Sequence, residues 1–258
     1  MAGDGAALTT PSLRLDGLIS LVTGAGRGLG EGCAIALAEA GAEVVCLSRT
    51  AGELERVVAD IAARGGRARP LVCDICDTAA MQAAIGALPR LDILVNNAGT
   101  NVPEPFLEVC EEHLDRILAV NVRAAFLVAQ AAARRMVDGG RGGSIVNMSS
   151  QMGHVGAPNR AVYCLSKHAI EGLTKALAVE LAPQQVRVNA IGPTFIETPL
   201  TKPFFENPDF HSYVHDRIPL GRLGRIEDIM GAVVFLASPA AALITGASLV
   251  IDGGWTAP

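Results

Sequence analysis

The sequence predicts one α/β domain in which helices cover both faces of a doubly wound parallel sheet. Short apolar segments rich in β-branched residues alternate with longer helical segments along nearly the whole chain. These short segments are continuously apolar, as in strands that are buried on both faces. The chain has 258 residues, half of them apolar, which is enough for a large core in a fold class that often reaches this length undivided.

The alternation begins after residues 1–16, which are small and polar and which we expect to form a loose lead-in to one domain of residues 17–258. The predicted strands are Leu18–Thr23, Glu43–Ser48, Ala68–Cys73, Ile93–Val95, Ser144–Ser149, Val186–Ile191 and Ser248–Ile251. The predicted helices are Leu29–Ala40, Ala51–Ala63, Thr78–Leu88, Glu112–Val137, Ala161–Leu181 and Ile226–Ala237. Right-handed crossovers between parallel strands then give a Rossmann-type sheet.

One long segment, residues 193–219, shows no regular pattern. It carries the aromatic residues Phe204, Phe205, Phe210 and Tyr213. A long loop in a compact domain is often a lid or a binding element. Its aromatic side chains either cover a substrate or form a local packing cluster, and the two interpretations are compatible. We therefore expect a substrate loop here.

Charge and hydropathy argue against two kinds of partner. The net charge of −5 offers no basic surface for nucleic acid. The N-terminus has no basic segment followed by an apolar one, so no signal peptide is predicted. The uncharged run Ile229–Ile251 is long enough to cross a bilayer, but Ser238–Pro239 and Thr245–Gly246 divide it into a helix, a turn and a strand. We expect neither a nucleic-acid nor a membrane partner.

The cysteines and histidines do not form a recognisable metal site. The six cysteines are scattered, often in apolar runs, as free thiols are in a reducing compartment, so we expect a cytoplasmic protein. Cys73 and Cys76 form a C-x-x-C without a second pair or a histidine cluster, which makes zinc or redox chemistry the weaker interpretation. His211 and His215, four residues apart, are better explained as lid residues that face water or substrate than as a metal pair. We predict no metal.

A glycine-rich loop with the sequence TGAGRGLG, residues 23–30, joins the first predicted strand to the first predicted helix. Glycines there allow a tight turn and the approach of a pyrophosphate, and the helix N-terminus supplies free N–H groups and a favourable dipole. Glycines alone are weak evidence, whereas their position in a βαβ unit indicates a dinucleotide site. The expected cofactor contacts are Gly24, Arg27, Gly28, Leu29 and Gly30.

The end of the second strand indicates which nicotinamide cofactor is used. Binders of NAD usually have a carboxylate there for the ribose 2′-hydroxyl, whereas arginine suits a 2′-phosphate. This chain has Ser48 and Arg49, with Glu53 as the nearest acid downstream, and Arg27 could add a second positive charge. A guanidinium matches phosphate geometry. NADP(H) is therefore favoured, and NAD(H) is the alternative if Arg49 merely faces solvent.

Tyr163 and Lys167 lie four residues apart on one face of a predicted helix. A free tyrosine, with a pKa of about 10, is a poor base at neutral pH. A nearby ammonium stabilises the phenolate and lowers that pKa, so the pair can exchange a proton with an alcohol or carbonyl oxygen. The spacing alone is common in helices. We predict a proton-transfer site because other polar residues accompany the pair.

Further polar residues follow predicted strands that end at one edge of the sheet, which is the edge where such folds bind ligands. Ser149 and Ser150 end one strand, and a serine hydroxyl there can hydrogen-bond the reacting oxygen. The segment NNAG, residues 96–99, ends another strand in the same crevice. Asn121 interrupts an apolar helix, where a buried amide normally has partners. A structural role for Asn121 stays open, but the combination is difficult to assign to chance.

Over residues 15–258 the sequence resembles the short-chain dehydrogenase/reductase family. The resemblance is carried by TGAGRGLG at 23–30, Asp74, NNAG at 96–99, Asn121, SIVNMSS at 144–150, YCLSK at 163–167 and IDGGW at 251–255. It implies a catalytic tetrad of Asn121, Ser150, Tyr163 and Lys167, with Ser150 preferred to Ser149 by its spacing to Tyr163. It also implies that Lys167 holds the nicotinamide ribose and that Asn121 supports a water relay.

The resemblance extends the expected cofactor site, with Asp74 at the adenine. Together with Ser48 and Arg49, the expected contacts are Asp74, Ile75, Asn97, Ala98, Gly99, Tyr163, Lys167, Pro193, Ile196 and Thr198. One departure follows the sixth strand, where the family commonly has Pro-Gly and this chain has Pro193 and Thr194. Thr194 would crowd a site usually occupied by glycine. We therefore expect Thr194 to affect the local backbone path and the shape of the pocket, but not which cofactor is bound.

The substrate pocket is expected to be polar, which favours hydroxylated or charged substrates. Its wall after the fifth strand contains Gln151, Met152, His154, Asn159 and Arg160. The predicted substrate contacts are Gln151, His154, Asn159, Thr194 and Phe204. C-terminal segments of the type IPLGRLG…FLASP…DGGW resemble those of sugar-acid and polyol dehydrogenases, and also those of 3-oxoacyl-carrier-protein reductases.

We therefore predict an NAD(P)(H)-dependent oxidoreductase that transfers a hydride between nicotinamide and a secondary alcohol or ketone of a small sugar acid or polyol, similar to a gluconate 5-dehydrogenase. The alternative, a 3-oxoacyl-carrier-protein reductase, would need a basic docking patch, for which Arg123, Arg134 and Arg135 are candidates. These arginines also suit a solvated helix face. An alternative of another class is a nicotinamide-binding regulator without turnover, against which the complete tetrad argues.

The two long predicted helices, around residues 112–137 and 161–182, carry more apolar surface than one sheet face should cover. The residues that favour helix contacts between subunits are Ala124, Ala125, Ala129, Ala132, Leu173, Ala176 and Leu177. The family resemblance implies a homotetramer, or else a homodimer.

Overall fold

A seven-stranded parallel sheet forms the centre of the protein in the computed structural model, which describes residues 8–257. The strands are β1 (Ile19–Thr23), β2 (Glu43–Ser48), β3 (Arg67–Val72), β4 (Ile93–Asn96), β5 (Gly143–Met148), β6 (Val186–Pro193) and β7 (Ser248–Ile251). Their order in the sheet is β3-β2-β1-β4-β5-β6-β7, and every pair of neighbours is parallel. The predicted fold class is confirmed.

Helices cover both faces of this sheet. They are α1 (Gly28–Glu39), α2 (Ala51–Ala63), α3 (Thr78–Gly86), α4 (Glu111–Leu118), α5 (Ala125–Gly139), α6 (Ala161–Leu181), α7 (Pro208–His215) and α8 (Ile226–Ala237). Successive strand residues point to opposite faces. Val22 and Val44 therefore pack with α1, α2 and α8, whereas Leu21 and Val45 pack with α3, α5 and α6. This double burial explains the uninterrupted apolar strands.

The helix predicted at Glu112–Val137 is not regular throughout. Between α4 and α5 the backbone forms a π-helical turn, Ala119–Ala124, with Asn121 inside it. Such turns are rare and occur frequently at functional sites. The Ala-Val-Asn-Val-Arg-Ala sequence gives no local sign of it, since these residues also suit an ordinary α-helix.

The expectation that residues 193–219 lack regular structure was wrong. The segment contains a 3-10 helix, Lys202–Glu206, and the helix α7. Asn207 caps α7, because its side-chain oxygen accepts the backbone N–H groups of Asp209 and Phe210, and a proline occupies the first turn. The Asn-Pro-Asp sequence was therefore a readable helix start.

The predicted lead-in is shorter than residues 1–16. Residues 1–7 lie outside the described part of the chain. Leu15, however, is fully buried, and its backbone N–H donates to the carbonyl of Ala40 at 2.8 Å. The packed domain thus includes Leu15.

Within residues 8–257 one helical run, Glu111–Gly139, is long and apolar enough by composition to cross a membrane. The buried side of this run packs against the sheet.

This packing corrects part of the assembly prediction. Three of the predicted subunit contacts are buried in this core, namely Ala124, Ala129 and Ala132, and Ala125 is buried beside them on α5. The large apolar side chains exposed on α5 and α6 are Phe126, Val137, Leu165 and Val179. The run Ile229–Ile251 forms α8, a 3-10 turn and β7, as predicted.

Candidate active site

A cleft of about 780 Å³ opens at the carboxyl ends of the strands. It lies where the sheet order reverses between β1 and β4, the position at which open α/β sheets bind ligands. The expected cofactor residues that line it are Gly24, Arg27, Gly28, Leu29, Gly30, Ser48, Arg49, Asp74, Ile75, Asn97, Ala98, Gly99, Tyr163, Lys167, Pro193, Ile196 and Thr198. The fold therefore brings the whole predicted set to one cleft.

The glycine loop has the shape of a phosphate cradle. Gly24 and Gly28 have φ values of +66° and +60°, which favour glycine over other residues. A Cβ on Gly30 would overlap the carbonyl oxygen of Gly24, so the backbone can pass closely only without a side chain. Arg27 precedes α1 and provides no side-chain cap, which leaves N–H groups of the first turn for an anion. These residues fit a dinucleotide pyrophosphate.

Thr23 ties the ends of β1 and β4 together beneath the cleft. Its hydroxyl oxygen accepts the backbone N–H groups of Asn97 and Ala98, each at 3.0 Å. The side-chain amide of Asn97 donates to the carbonyl of Thr23 at 2.9 Å. Thr23 was not among the expected site residues, although its position at the end of β1 is a signal that could have found it.

Two exposed arginines line this part of the cleft, Arg49 directly after β2 and Arg27 in the glycine loop before α1. Arg49 is 77% exposed and its guanidinium lies 3.9 Å from the carboxylate of Asp74. Arg27 is 66% exposed and lies 3.9 Å from the carboxylate of Glu53. Exposed pairs at this distance are weak, so both guanidinium groups stay available to a phosphate.

Tyr163 and Lys167 lie on α6 with the Lys167 Nζ 5.5 Å from the centre of the tyrosine ring. Lys167 is buried, and its ammonium donates to the carbonyl of Met148 at 2.8 Å. Burial lowers the pKa of Lys167 to about 8, opposed by the Glu171 carboxylate. Burial raises the pKa of Tyr163 to about 12, opposed chiefly by the hydroxyl of Ser150. A Tyr163 pKa lowered by Lys167 was predicted; in this structure burial raises that pKa, and the groups that oppose the rise are Ser150 and Arg160.

Ser150 stands beside Tyr163 at the end of β5. Its hydroxyl accepts the backbone N–H of Met152 at 3.1 Å and donates to the carbonyl of Pro193 at 3.4 Å. The long second bond leaves the hydroxyl able to turn toward a ligand. The structure thus gathers Ser150, Tyr163 and Lys167 along one wall of the cleft.

Asn121 is buried behind this wall and does not itself line the cleft. Its Oδ1 accepts the backbone N–H of Thr100 at 2.8 Å, and its Nδ2 donates to the carbonyl of Thr100 at 2.8 Å and to the hydroxyl of Ser166 at 3.1 Å. Ser166 in turn donates to the carbonyl of Tyr163 at 2.7 Å. Asn121 therefore braces the segment after β4 against the helix that carries Tyr163.

The predicted substrate residues separate into three groups. Gln151, Thr194 and Phe204 line the cleft. Asn159 lines an adjoining pocket of about 350 Å³, which shares Phe204 with the cleft. His154 lines neither cavity, because its Nε2 lies 3.1 Å from the Ser248 hydroxyl and 3.3 Å from the Glu171 carboxylate.

Thr194 changes the pocket but not the backbone. Among the non-glycine residues that the structure describes, only Asn159 and Gln185 have positive φ, so the backbone at Thr194 does not require glycine. The Thr194 N–H donates to the carbonyl of Ile251 at 3.1 Å. Its side chain lines the cleft and occupies space that a glycine would leave open.

Several buried polar atoms in the wall of the cleft have no hydrogen-bond partner among residues 8–257. They are Asn101 Oδ1, Ser149 Oγ, Gln151 Oε1, Arg160 Nε and Thr194 Oγ1. Buried polar groups normally have partners, so these are the atoms at which a water or, after a side-chain movement, a ligand group can add a hydrogen bond.

Comparisons with known proteins agree with this geometry. A family model described as enoyl-(acyl carrier protein) reductase matches residues 24–256. A D-erythrulose reductase from Gallus gallus is 40% identical over 245 residues, which cover 95% of this chain and 98% of the relative. A D-threitol dehydrogenase from Mycolicibacterium smegmatis is 41% identical over 247 residues, which cover 94% of both chains.

A solved structure with a closely similar fold is that of a gluconate 5-dehydrogenase from Burkholderia cenocepacia J2315 in complex with NADP and tartrate. Its TM-score is 0.91 at 34% sequence identity, and the match covers 95% of this chain and 98% of that one.

Proposed function

The chain belongs to the short-chain dehydrogenase/reductase family and is an NAD(P)-dependent oxidoreductase of alcohol or ketone groups, and we propose that it acts on a polyhydroxylated substrate, a small sugar acid or polyol. The observation that carries this proposal is the set of unpaired buried oxygen atoms on residues that line the same cleft as Tyr163, namely Asn101, Ser149, Gln151 and Thr194. Hydroxyl groups of a sugar chain would supply their missing partners, whereas an acyl chain would leave them unpaired.

Tyr163 is assigned as the proton donor and acceptor at the substrate oxygen. Because burial raises the pKa of Tyr163 to about 12, its phenol is protonated at neutral pH and suits the reduction of a ketone. Ser150 would hold the same oxygen through its hydroxyl. The ammonium of Lys167 would stabilise the phenolate that remains after proton transfer. A bound nicotinamide supplies or accepts the hydride.

Asn121 and Lys167 are assigned further positioning roles. Lys167 would hold the nicotinamide ribose, since its ammonium has further donors besides the one given to Met148. Asn121 would keep α6 in place through Thr100 and Ser166, and support of a water relay remains part of this proposal. Both assignments rest on the family resemblance together with these contacts.

The cofactor is proposed to be NADP(H). Arg49 follows Ser48, which stands in place of a carboxylate at the end of β2, and Arg27 of the glycine loop adds a second exposed guanidinium beside the cleft. A 2′-phosphate would bind between such groups bidentately. The gluconate 5-dehydrogenase structure, which holds NADP, supports the same choice.

We further propose a homotetramer or homodimer in the cytoplasm. The exposed Phe126, Leu165 and Val179 on α5 and α6 supply an apolar surface for a second copy. The six cysteines are free, as expected in a reducing compartment. Light scattering of the purified protein tests the assembly.

The experiment that tests the function follows the absorbance of reduced nicotinamide with 5-ketogluconate, erythrulose and an acetoacetyl thioester, each with NADPH and with NADH. We expect turnover of at least one of the two sugar-type ketones and little turnover of the thioester. The basic patch that the carrier-protein alternative needs is reduced at Arg135, which is half-buried and donates to the carbonyls of Leu88 and Pro89, whereas Arg123 and Arg134 stay exposed. Preference for the thioester would overturn the proposal.

A further inference from the structure

Arg160 is a buried cation at the junction of the two cavities. It stands just before α6, three residues ahead of Tyr163, and only 5% of it is exposed. It lines both the cleft and the adjoining pocket. The other described residues that line the adjoining pocket are uncharged. Arg160 is thus the single charge on that side of the site.

Within the described residues, the guanidinium of Arg160 makes one hydrogen bond. Its Nη1 donates to the carbonyl of Asn159 at 3.2 Å, and its Nε has no partner. No carboxylate of residues 8–257 forms an ion pair with it. Burying a charge is unfavourable unless the charge is paired and hydrogen-bonded, and arginine does not escape by losing its proton. An anionic partner is therefore missing from the fold.

Two aromatic rings hold the face of this guanidinium. The rings of Phe204 and Phe210 lie 5.1 Å and 5.6 Å from its central carbon. Such cation–π contacts occupy the face and leave the N–H groups at the edge for a ligand. Burial lowers the pKa of Arg160, and the neighbouring Tyr163 opposes that change, which places the charge close to the reacting group.

We propose that Arg160 is a specificity-determining residue that binds a carboxylate of the substrate, so that the preferred substrate is a sugar acid rather than a neutral sugar or polyol. A guanidinium edge matches a carboxylate with two parallel hydrogen bonds. The single positive charge of one guanidinium neutralises the single negative charge of a carboxylate. A phosphate, with a charge of about −2, would need a second cation. This inference rests on the proposed function, because it places the substrate in the same cleft.

Arg217 offers a matched control. Its guanidinium lies 3.8 Å from the ring centre of Tyr213 in the same aromatic cluster, but it is exposed and lines neither cavity. The variants are Arg160→Met, Arg160→Lys and Arg217→Met. Each is assayed with 5-ketogluconate and with fructose, a neutral ketose of equal chain length, at saturating NADPH. Calorimetric binding of gluconate to the NADPH-saturated protein, a dead-end complex in which no hydride can be transferred, gives a readout that does not depend on turnover.

We expect Arg160→Met to raise KM for 5-ketogluconate about 10- to 100-fold, with KM for fructose changed less than about threefold. Arg160→Lys should give an intermediate KM for 5-ketogluconate, because it keeps the positive charge but cannot form two parallel hydrogen bonds with a carboxylate. Arg217→Met should have the KM values of the wild type. The calorimetric affinity for gluconate should fall by the same factor as KM rises. The fructose arm shows whether a variant has kept a folded site.

Equal losses on both ketones, or unchanged gluconate affinity in Arg160→Met, would overturn the role of Arg160. A wild type that prefers fructose would overturn it as well. Absence of turnover on every sugar-type ketone would instead refute the proposed function. The gluconate titration would still decide whether Arg160 binds a carboxylate.

Discussion

The ammonium of Lys167 lies 5.5 Å from the centre of the Tyr163 ring and is tied to the end of β5 by its bond to the Met148 carbonyl. Burial favours the neutral form of both groups: it lowers the pKa of Lys167 to about 8 and raises the pKa of Tyr163 to about 12. The charge of either group is therefore unfavourable in this wall, and each charge would be eased by the other. Such opposed shifts in a cleft are typical of acid–base sites.

Replacing Tyr163 with Phe removes the proposed proton donor and keeps the ring. We expect kcat for ketone reduction to fall about 10²- to 10⁴-fold, because a positioned acid contributes this much. NADPH binding, followed by its fluorescence, should change little. Lys175→Met, a change of an exposed lysine on the same helix, serves as the control and should keep full activity. Comparable activity of Tyr163→Phe would remove Tyr163 from the mechanism.

The lowered pKa of Lys167 makes stability depend on pH. Between about pH 8 and the ordinary lysine value of 10.5, the unfolded chain holds this proton and the folded chain does not, so the free energy of unfolding rises with pH. The rise from Lys167 should total roughly 3 kcal/mol. Above about pH 10 the raised pKa of Tyr163 acts with the opposite sign, because the folded chain then holds the extra proton.

Urea unfolding at several pH values tests this dependence. The free energy of unfolding of the wild type should increase from pH 8 to pH 10, whereas Lys167→Met, which has no proton to release, should lack this increase. Parallel curves for the two proteins would show that the ammonium of Lys167 is not disfavoured by its burial.

Strand burial made the fold predictable from the sequence. Both faces of the sheet are covered, so segments such as Glu43–Ser48 are apolar almost without interruption and stand apart from the helical segments. The cleft residues follow strand ends, and parallel strands place all those ends at one edge. Their convergence thus follows from the topology alone.

Other features depend on contacts that sequence spacing does not show. The π turn at Asn121 is accompanied by bonds to Thr100, 21 residues earlier, and to Ser166, 45 residues later. His154 follows the fifth strand as a cleft residue would, but Glu171 and Ser248 hold it away from the cavities. Arg160 was one of several polar residues in the expected wall, and only its burial without a carboxylate sets it apart.

Arg49 should decide the preference for NADPH. Replacing it with Ala removes a cation from the expected 2′-phosphate site, and we expect KM for NADPH to rise about 10-fold while KM for NADH stays nearly constant. Arg134→Ala, a change of an exposed arginine on α5, is the control and should alter neither value. A wild type that uses NADH much better than NADPH would refute the cofactor assignment.

Thr194→Val tests the unpaired hydroxyl with almost no change of shape. Because Thr194 Oγ1 is buried without a partner in the described chain, its removal should leave the free energy of unfolding unchanged or slightly higher. If the hydroxyl binds a sugar hydroxyl, KM for the preferred ketone should rise about 5- to 10-fold, the loss of one hydrogen bond. Thr194→Gly removes the hydroxyl and also widens the cleft. We expect the same rise of KM for the preferred ketone, together with turnover of bulkier ketones. A loss of stability in Thr194→Val with unchanged KM would instead mean that the hydroxyl serves the fold and not the substrate.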